Sequence, residues 1–126
     1  MSHISKIKTQ IVDKKYLLEA LKDLGYHPEE GDLEIRGFGG NKENVSIRIH
    51  RFLSYDIGFR SNKEGSFDII ADWFGIHGIR QKEFTDQLTQ RYALLVTKSK
   101  LKEQGFEIVE EVKENNQIRL VLRRLS

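Results

Sequence analysis

The chain has 126 residues, a formal net charge of +2, 38% hydrophobic and 32% charged residues, and no cysteine. That length allows one domain with a core of its own, and the seven phenylalanines and four tyrosines argue against disorder. The absence of cysteine excludes disulfides, thiolate catalysis and cysteine-held clusters, and the small, mixed charge lacks the basic bias of a dedicated nucleic-acid binder.

Residues 4–12 read as a first strand, with Ile4, Lys6, Lys8 and Gln10 on one face and Ser5, Ile7, Thr9 and Ile11 on the other. Asp13 is placed to cap a helix in which Leu17, Ala20, Leu21 and Leu24 recur at helical spacing. Gly25 ends that helix, and Pro28 in the loop beyond it blocks any continuation. Leu33 to Arg36 is a short strand, and Gly37-Phe-Gly-Gly-Asn41 connects it to Val45–His50. The alternation there turns Val45, Ile47 and Ile49 inward and Ser46, Arg48 and His50 outward.

The central stretch Tyr55 to Gly75 predicts a β-hairpin with which most other strands pair or near which they lie. Ile57 and Phe59 alternate on the way up, Asn62 to Gly65 turn, and Phe67, Ile69 and Ala71 alternate on the way down. A second helix is predicted over Gln81–Gln104, with Phe84, Leu88, Tyr92 and Leu95 as its apolar stripe and Gly105 as its stop. At ~1.5 Å per residue it is long enough to allow a break near Thr97 to Ser99. A closing hairpin runs from Phe106–Val112 through Glu114-Asn-Asn-Gln117 to Ile118–Leu122.

The expected fold class is α+β: a mostly antiparallel sheet with two helices packed on one face, in a single domain over residues 1–126. Leu21-Lys-Asp-Leu-Gly-Tyr26 is similar to Leu101-Lys-Glu-Gln-Gly-Phe106. The likeness is compatible with two β-α-β-β units, and equally with shared helix-stop chemistry. No apolar run approaches the roughly 18 residues of a membrane span, and the first residues lack the apolar core of a secretory signal.

Several segments occur in an order that resembles a known family. They are the opening Met1-Ser-His-Ile-Ser-Lys-Ile-Lys-Thr-Gln10, Arg36-Gly-Phe-Gly-Gly-Asn41, Tyr55-Asp-Ile-Gly58, Ala71-Asp-Trp73, Thr89-Gln-Arg-Tyr-Ala93 and Ile118-Arg-Leu120. Together they are similar to the family called hypothetical chloroplast open reading frame thirty-five, over nearly the whole chain. The resemblance implies a cyanobacterial cytoplasm or a plastid stroma. It also implies a partner complex in which a small ferredoxin-type iron–sulfur protein takes part. It carries no catalytic residues across.

The residues themselves offer several candidate sites, each with a plainer alternative. Gly37-Phe-Gly-Gly40 has the glycines of a phosphate loop, but it opens a strand rather than a helix and lacks the Walker lysine, so a flexible turn is favoured. His3, His27, His50 and His77 are widely spaced and have no cysteine partners, which leaves no metal set. His77 can approach Asp72 across the intervening turn, and capping or solvent exposure is the plainer reading. Asp56, Asp68 and Asp72 near the hairpin can hold a cation, against the plainer reading of a solvated rim.

Arg48, His50 and Arg51 on one strand and Arg119, Arg123 and Arg124 on another form a basic sheet face if those strands are neighbours. Arg60 in the hairpin is nearby, and Phe38 or Phe52 is available for stacking. Such a face suits an acidic protein or RNA, unless Glu34, Glu107, Glu110 and Glu111 neutralise it. Trp73-Phe74 is a candidate aromatic anchor for a partner, against the plainer role of closing the core.

The leading expectation is a non-enzymatic interaction or assembly factor that uses Trp73, Phe74, Arg48, His50, Arg119 and Arg123 against a protein partner. The alternative is an RNA- or DNA-binding accessory protein using the arginine-bearing strands. An enzyme ranks third, since no nucleophile–base pair, metal set or cofactor motif is readable. No oligomeric state is readable.

Overall fold

Helix α1 (Lys14–Asp23) starts where Asp13, in an extended conformation, accepts a hydrogen bond from the Lys15 N–H at 2.9 Å. This satisfies one of the first-turn donors that a helix leaves open. Leu17, Ala20 and Leu21 are buried along its inner face, and Gly25 follows its end at φ 93°. These features belong to a computed structural model that describes residues 3–125. The chain divides into two units, one up to Tyr92 and one from Ala93 onward.

In the first unit, five strands form one antiparallel sheet. They are β1 (Ser5–Lys8), β2 (Pro28–Arg36), β3 (Lys42–Ile49), β4 (Ile57–Ser61) and β5 (Phe67–Ala71), in the spatial order β1-β5-β4-β3-β2. The hairpin β4–β5 is the centre, as its alternation predicts, with β1 and β3 on its two sides. Asn62 fixes the hairpin turn by accepting from the backbone N–H groups of Glu64 and Ser66 through Oδ1. Pro28 opens β2 instead of lying in a loop. β2 is an edge strand and Pro28 is its first residue, both places where a strand tolerates proline.

Residues that pair directly across strands share a face, and the two faces carry separate apolar layers. Ile47, Phe59 and Ile69 are in register on one face, where the Phe59 ring centroid lies 6.3 Å from that of Phe84. On the other face Gly58 pairs with Ile70, and Ile70 joins Ile35 and Val45 in a buried cluster flanked by Ile4 and Leu33. Val45, Ile47 and Ile49 are all buried, as their alternation predicts, but they do not form one layer. β3 pairs with β4 only from Ile47 onward, and the first half of β3 delivers Val45 to the Gly58 face.

Gly58 is required there by close packing. A Cβ on it would stand 2.5 Å from Val45 Cγ1 and 3.1 Å from Ile35 Cγ2. Gly58→Ala is therefore expected to cost about 1–2 kcal/mol through overpacking. Urea denaturation checks this, and an unchanged midpoint would contradict the packing of this layer.

Helix α2 (Gln81–Glu103) continues without a break through Thr97 to Ser99. Its first part buries Phe84 and Leu88. The Tyr92 hydroxyl accepts hydrogen bonds from the N–H groups of Val12 and Asp13, at 3.1 and 3.0 Å. In the second unit Leu94, rather than Leu95, is the buried residue of the helix. β6 (Phe106–Glu114) and β7 (Gln117–Arg124) form a separate antiparallel pair. Asn115 and Asn116, at φ 47° and 63°, make the turn that the Asn-Asn pair predicts. The α+β class and the antiparallel pairing follow the sequence expectation, with the seven strands among the described residues divided between two sheets. No helix among the described residues is long and apolar enough to cross a membrane.

Candidate functional site

Three loops of the first unit converge at one end of the sheet: 37–41 between β2 and β3, 51–56 between β3 and β4, and 72–78 after β5. The second and third loops are tied together by hydrogen bonds to backbone groups. Ser54 Oγ donates to Gly75 O at 3.2 Å and accepts from His77 N–H at 3.1 Å, and Tyr55 N–H donates to Gly75 O at 3.1 Å. Arg51 adds a third tie, donating from Nη2 to His77 O at 2.8 Å. The Tyr55 ring lies against Gly75, where a Cβ would stand 2.1 Å from Tyr55 Cδ2. Only glycine allows that approach.

The first loop is held by Asp72. Its Oδ2 accepts the Phe38 N–H at 2.9 Å, while its Oδ1 is buried with no hydrogen-bond partner among the described residues. The sequence expectation of a solvated Asp72 is thus corrected: the residue is 1% exposed. Its place on the same strand face as Ile70 put it against the 37–41 loop rather than in water. Asp56 also works within a loop, accepting the Arg51 N–H at 2.9 Å. Among the described residues no group of acidic, histidine or cysteine side chains has the arrangement of a metal site.

These ties present large apolar side chains to solvent. Phe38, Leu53 and Phe74 are 55%, 82% and 83% exposed, and together with Tyr55, Gly75 and His77 they line a cleft of about 390 Å³. Leu53 holds a left-handed backbone at φ 57°, a costly conformation for a branched side chain. Beside this apolar lobe, and sharing Ser54 and Tyr55 with it, is a polar lobe of about 350 Å³ lined by Glu34, Arg36, Arg48, His50 and Asp56.

The match to known proteins covers nearly the whole chain. Residues 20–121 match the family described as "Protein of unknown function (DUF1257)". The uncharacterized protein ycf35 of Guillardia theta is 36% identical over 126 residues, which is 98% of each chain. The chain belongs to the ycf35 family. The ycf35 proteins of Cyanophora paradoxa and Pyropia yezoensis are 32% and 31% identical over 128 residues, again 98% of each chain. No solved structure matches it. The family resemblance read from the ordered motifs therefore holds.

In this ycf35-family chain the residues singled out from sequence are distributed over several places. Phe74 is on the cleft, and Arg48 and His50 line its polar lobe. Trp73 turns the other way: its ring centroid lies 5.8 Å from that of Phe84, and its Nε1 is buried. Arg119 and Arg123 belong to β7, which pairs with β6 in a two-stranded sheet, whereas β3 lies between β2 and β4. The single basic sheet face that required neighbouring strands does not form. Arg123 pairs with Glu107, and Arg119 lies 3.7 Å from Glu114. His77 is exposed and contributes backbone bonds to Ser54 and Arg51, not to Asp72.

Arg48 donates from Nε to Glu29 at 3.2 Å and from Nη1 to Glu34 O at 3.1 Å. The hydrogen bond from Arg48 holds the Glu29 carboxyl below the usual glutamate range, partly offset by desolvation. A depressed acid adds stability above its unfolded pKa and loses that contribution as pH falls through the folded value. Glu29 is exposed, so the effect on folding is small. The expected result is an NMR carboxyl titration of Glu29 with a midpoint below that of free glutamate, restored to the ordinary range by Arg48→Gln. A midpoint indifferent to Arg48→Gln would contradict the pair.

Sequence reasoning missed Leu53, Tyr55, Gly75 and Arg36 as parts of this site. Leu53, Tyr55 and Gly75 lie on loops with no periodic signal, and Arg36 is the last residue of β2. The one available hint was the adjacent apolar pair Phe52-Leu53 in a polar connection.

Proposed function

We propose that this chain is a non-enzymatic interaction or assembly factor that presents the 37–41, 51–56 and 72–78 loops to a protein partner. The observation that carries the reading is the group of three large apolar side chains, Phe38, Leu53 and Phe74, exposed around one cleft on bonded loops. Exposed apolar patches with a polar rim mark interaction surfaces, and a strained Leu53 backbone is retained where display matters more than local stability. Arg48 and His50 belong to the polar side of this surface. Phe74 is its aromatic anchor, with Trp73 as the support beneath. Arg119 and Arg123, already paired with acids in their own hairpin, are not needed by it. A small ferredoxin-type protein is one partner that the family resemblance implies, and a cyanobacterial cytoplasm or a plastid stroma is the setting.

The test is capture of the tagged full-length chain from its native cell, with and without nuclease, in the wild-type and Phe74→Ala forms. A stoichiometric protein that survives nuclease and falls by about tenfold with Phe74→Ala is expected. Loss of every partner on nuclease treatment would replace this reading with nucleic-acid binding. Undiminished capture by Phe74→Ala would remove the cleft from it.

A further inference from the structure

β2 and β3 meet at the base of the 37–41 loop, where Arg36 stands directly opposite Lys42 in the register. Both residues are exposed, and neither side chain makes an ion pair or hydrogen bond among the described residues. Like charges directly opposite one another in an antiparallel pair are destabilising. The same sheet neutralises its other arginines, with Glu29 beside Arg48 and Glu43 3.1 Å from Arg60. Arg36 and Lys42 make no such ion pair, although Glu34 lies two residues before Arg36 on the same strand face and lines the same lobe. The two residues bracket the loop that carries Phe38, and Arg36 lines the polar lobe next to the apolar one.

Taking the cleft as the partner-binding surface proposed above, we infer that it recognises an acidic peptide segment of the partner. An apolar side chain of that segment enters the lobe between Phe38, Leu53 and Phe74. A neighbouring carboxylate then pairs with Arg36 and Lys42. The planar guanidinium of Arg36 can take both oxygens of one carboxylate, and Lys42 adds a point charge beside it. Binding thereby removes the like-charge repulsion that the free sheet carries. Nucleic acid fits this surface less well. A phosphate backbone repeats its charge at every nucleotide and would have to pass Glu34 and Asp56, which line the same lobe. A peptide places its charge at one chosen point.

The experiment is a fluorescence anisotropy titration of the full chain with short labelled peptides. Each peptide carries a central leucine or phenylalanine flanked by aspartate and glutamate, and is compared with its counterpart bearing asparagine and glutamine. The acidic peptides are expected to bind about tenfold more tightly than the neutral ones. That preference is expected to disappear in the Arg36→Gln/Lys42→Gln double variant, while Phe74→Ala weakens both peptide classes. Circular dichroism checks that the double variant stays folded, as two exposed positions predict. Equal binding of acidic and neutral peptides overturns the inference, and so does a preference that survives the double variant. Tighter binding of a uridine oligonucleotide than of any peptide overturns it too. If no peptide binds while the cellular partner is still captured through Phe74, the acidic-segment inference fails and the cleft reading stands. If Phe74→Ala changes neither assay, the cleft reading itself fails.

Discussion

Phe84→Ala is expected to destabilise the first unit by about 3–5 kcal/mol, the range for truncating a buried aromatic without collapse of the site. Phe84 is the hub of an aromatic cluster contributed by four parts of the chain. Its ring centroid lies 5.5 Å from that of Tyr26 in an edge-on arrangement, 5.8 Å from Trp73 and 6.3 Å from Phe59. Tyr26 follows α1, Phe59 is on the central strand β4, and Trp73 follows β5. No single one of them can move into the vacated space without leaving its own element, so a cavity persists. Burial has a second mark in this cluster, where desolvation raises the Tyr26 hydroxyl above its ordinary pKa, with the Arg51 charge opposing. The measurement is urea denaturation followed by the fluorescence of Trp73, the only tryptophan. A loss under about 1 kcal/mol would show that the cluster is not the structural centre of the unit.

The parts of the fold that could be read from sequence are those set by local chemistry. Asp13 and Gly25 mark the ends of α1, Asn62 turns the central hairpin, and Asn115-Asn116 turns the last one. Each of these residues acts on backbone within a few positions of itself. The first half of β2 was not readable, because Glu29, Glu30, Gly31 and Asp32 show no alternation and the strand carries a bulge between Glu30 and Leu33. Its identity as a strand comes from pairing with β3 at an edge, which is tertiary context. The division of the strands into two sheets was hidden for a related reason, since β6 and β7 alternate as strands do whether or not they join a larger sheet.

The candidate site was legible only in fragments. Phe74, Arg48 and His50 were visible as residue types, and Phe38 as a stacking aromatic in a glycine-rich turn. What assembles them is the convergence of three loops far apart in sequence, fixed by Ser54, Arg51 and Asp72 through bonds to backbone. Asp72 shows why such residues mislead. A carboxyl at the end of a strand reads as solvated, and only the fold reveals that it is buried under the loop it holds.

Trp73 and Phe74 are adjacent, and single substitutions are expected to separate their roles completely. Trp73→Ala removes a side chain that packs on Phe84 and keeps its Nε1 from solvent. The residue is only half-buried, so the loss falls at the lower end of the range for aromatic truncation, about 3 kcal/mol. Phe74→Ala removes a ring that is 83% exposed, and its cost to folding is expected to stay within about 0.5 kcal/mol. Binding should reverse the order. The Phe74 variant should lose about tenfold in peptide affinity at unchanged stability, the mark of an interface anchor. The Trp73 variant, assayed well below its unfolding transition, should lose affinity only so far as the 72–78 loop loosens. Paired denaturation and anisotropy curves on the two variants decide the matter. Equal destabilisation by both would mean that Phe74 is part of the core. Equal loss of affinity at full stability would make Trp73 a direct contact, and the surface would then extend onto the ring that the Phe84 cluster holds. The short turn at residues 73–75 makes the separation physical: its tight backbone sends consecutive aromatic side chains in different directions, one into the core and one out over the cleft.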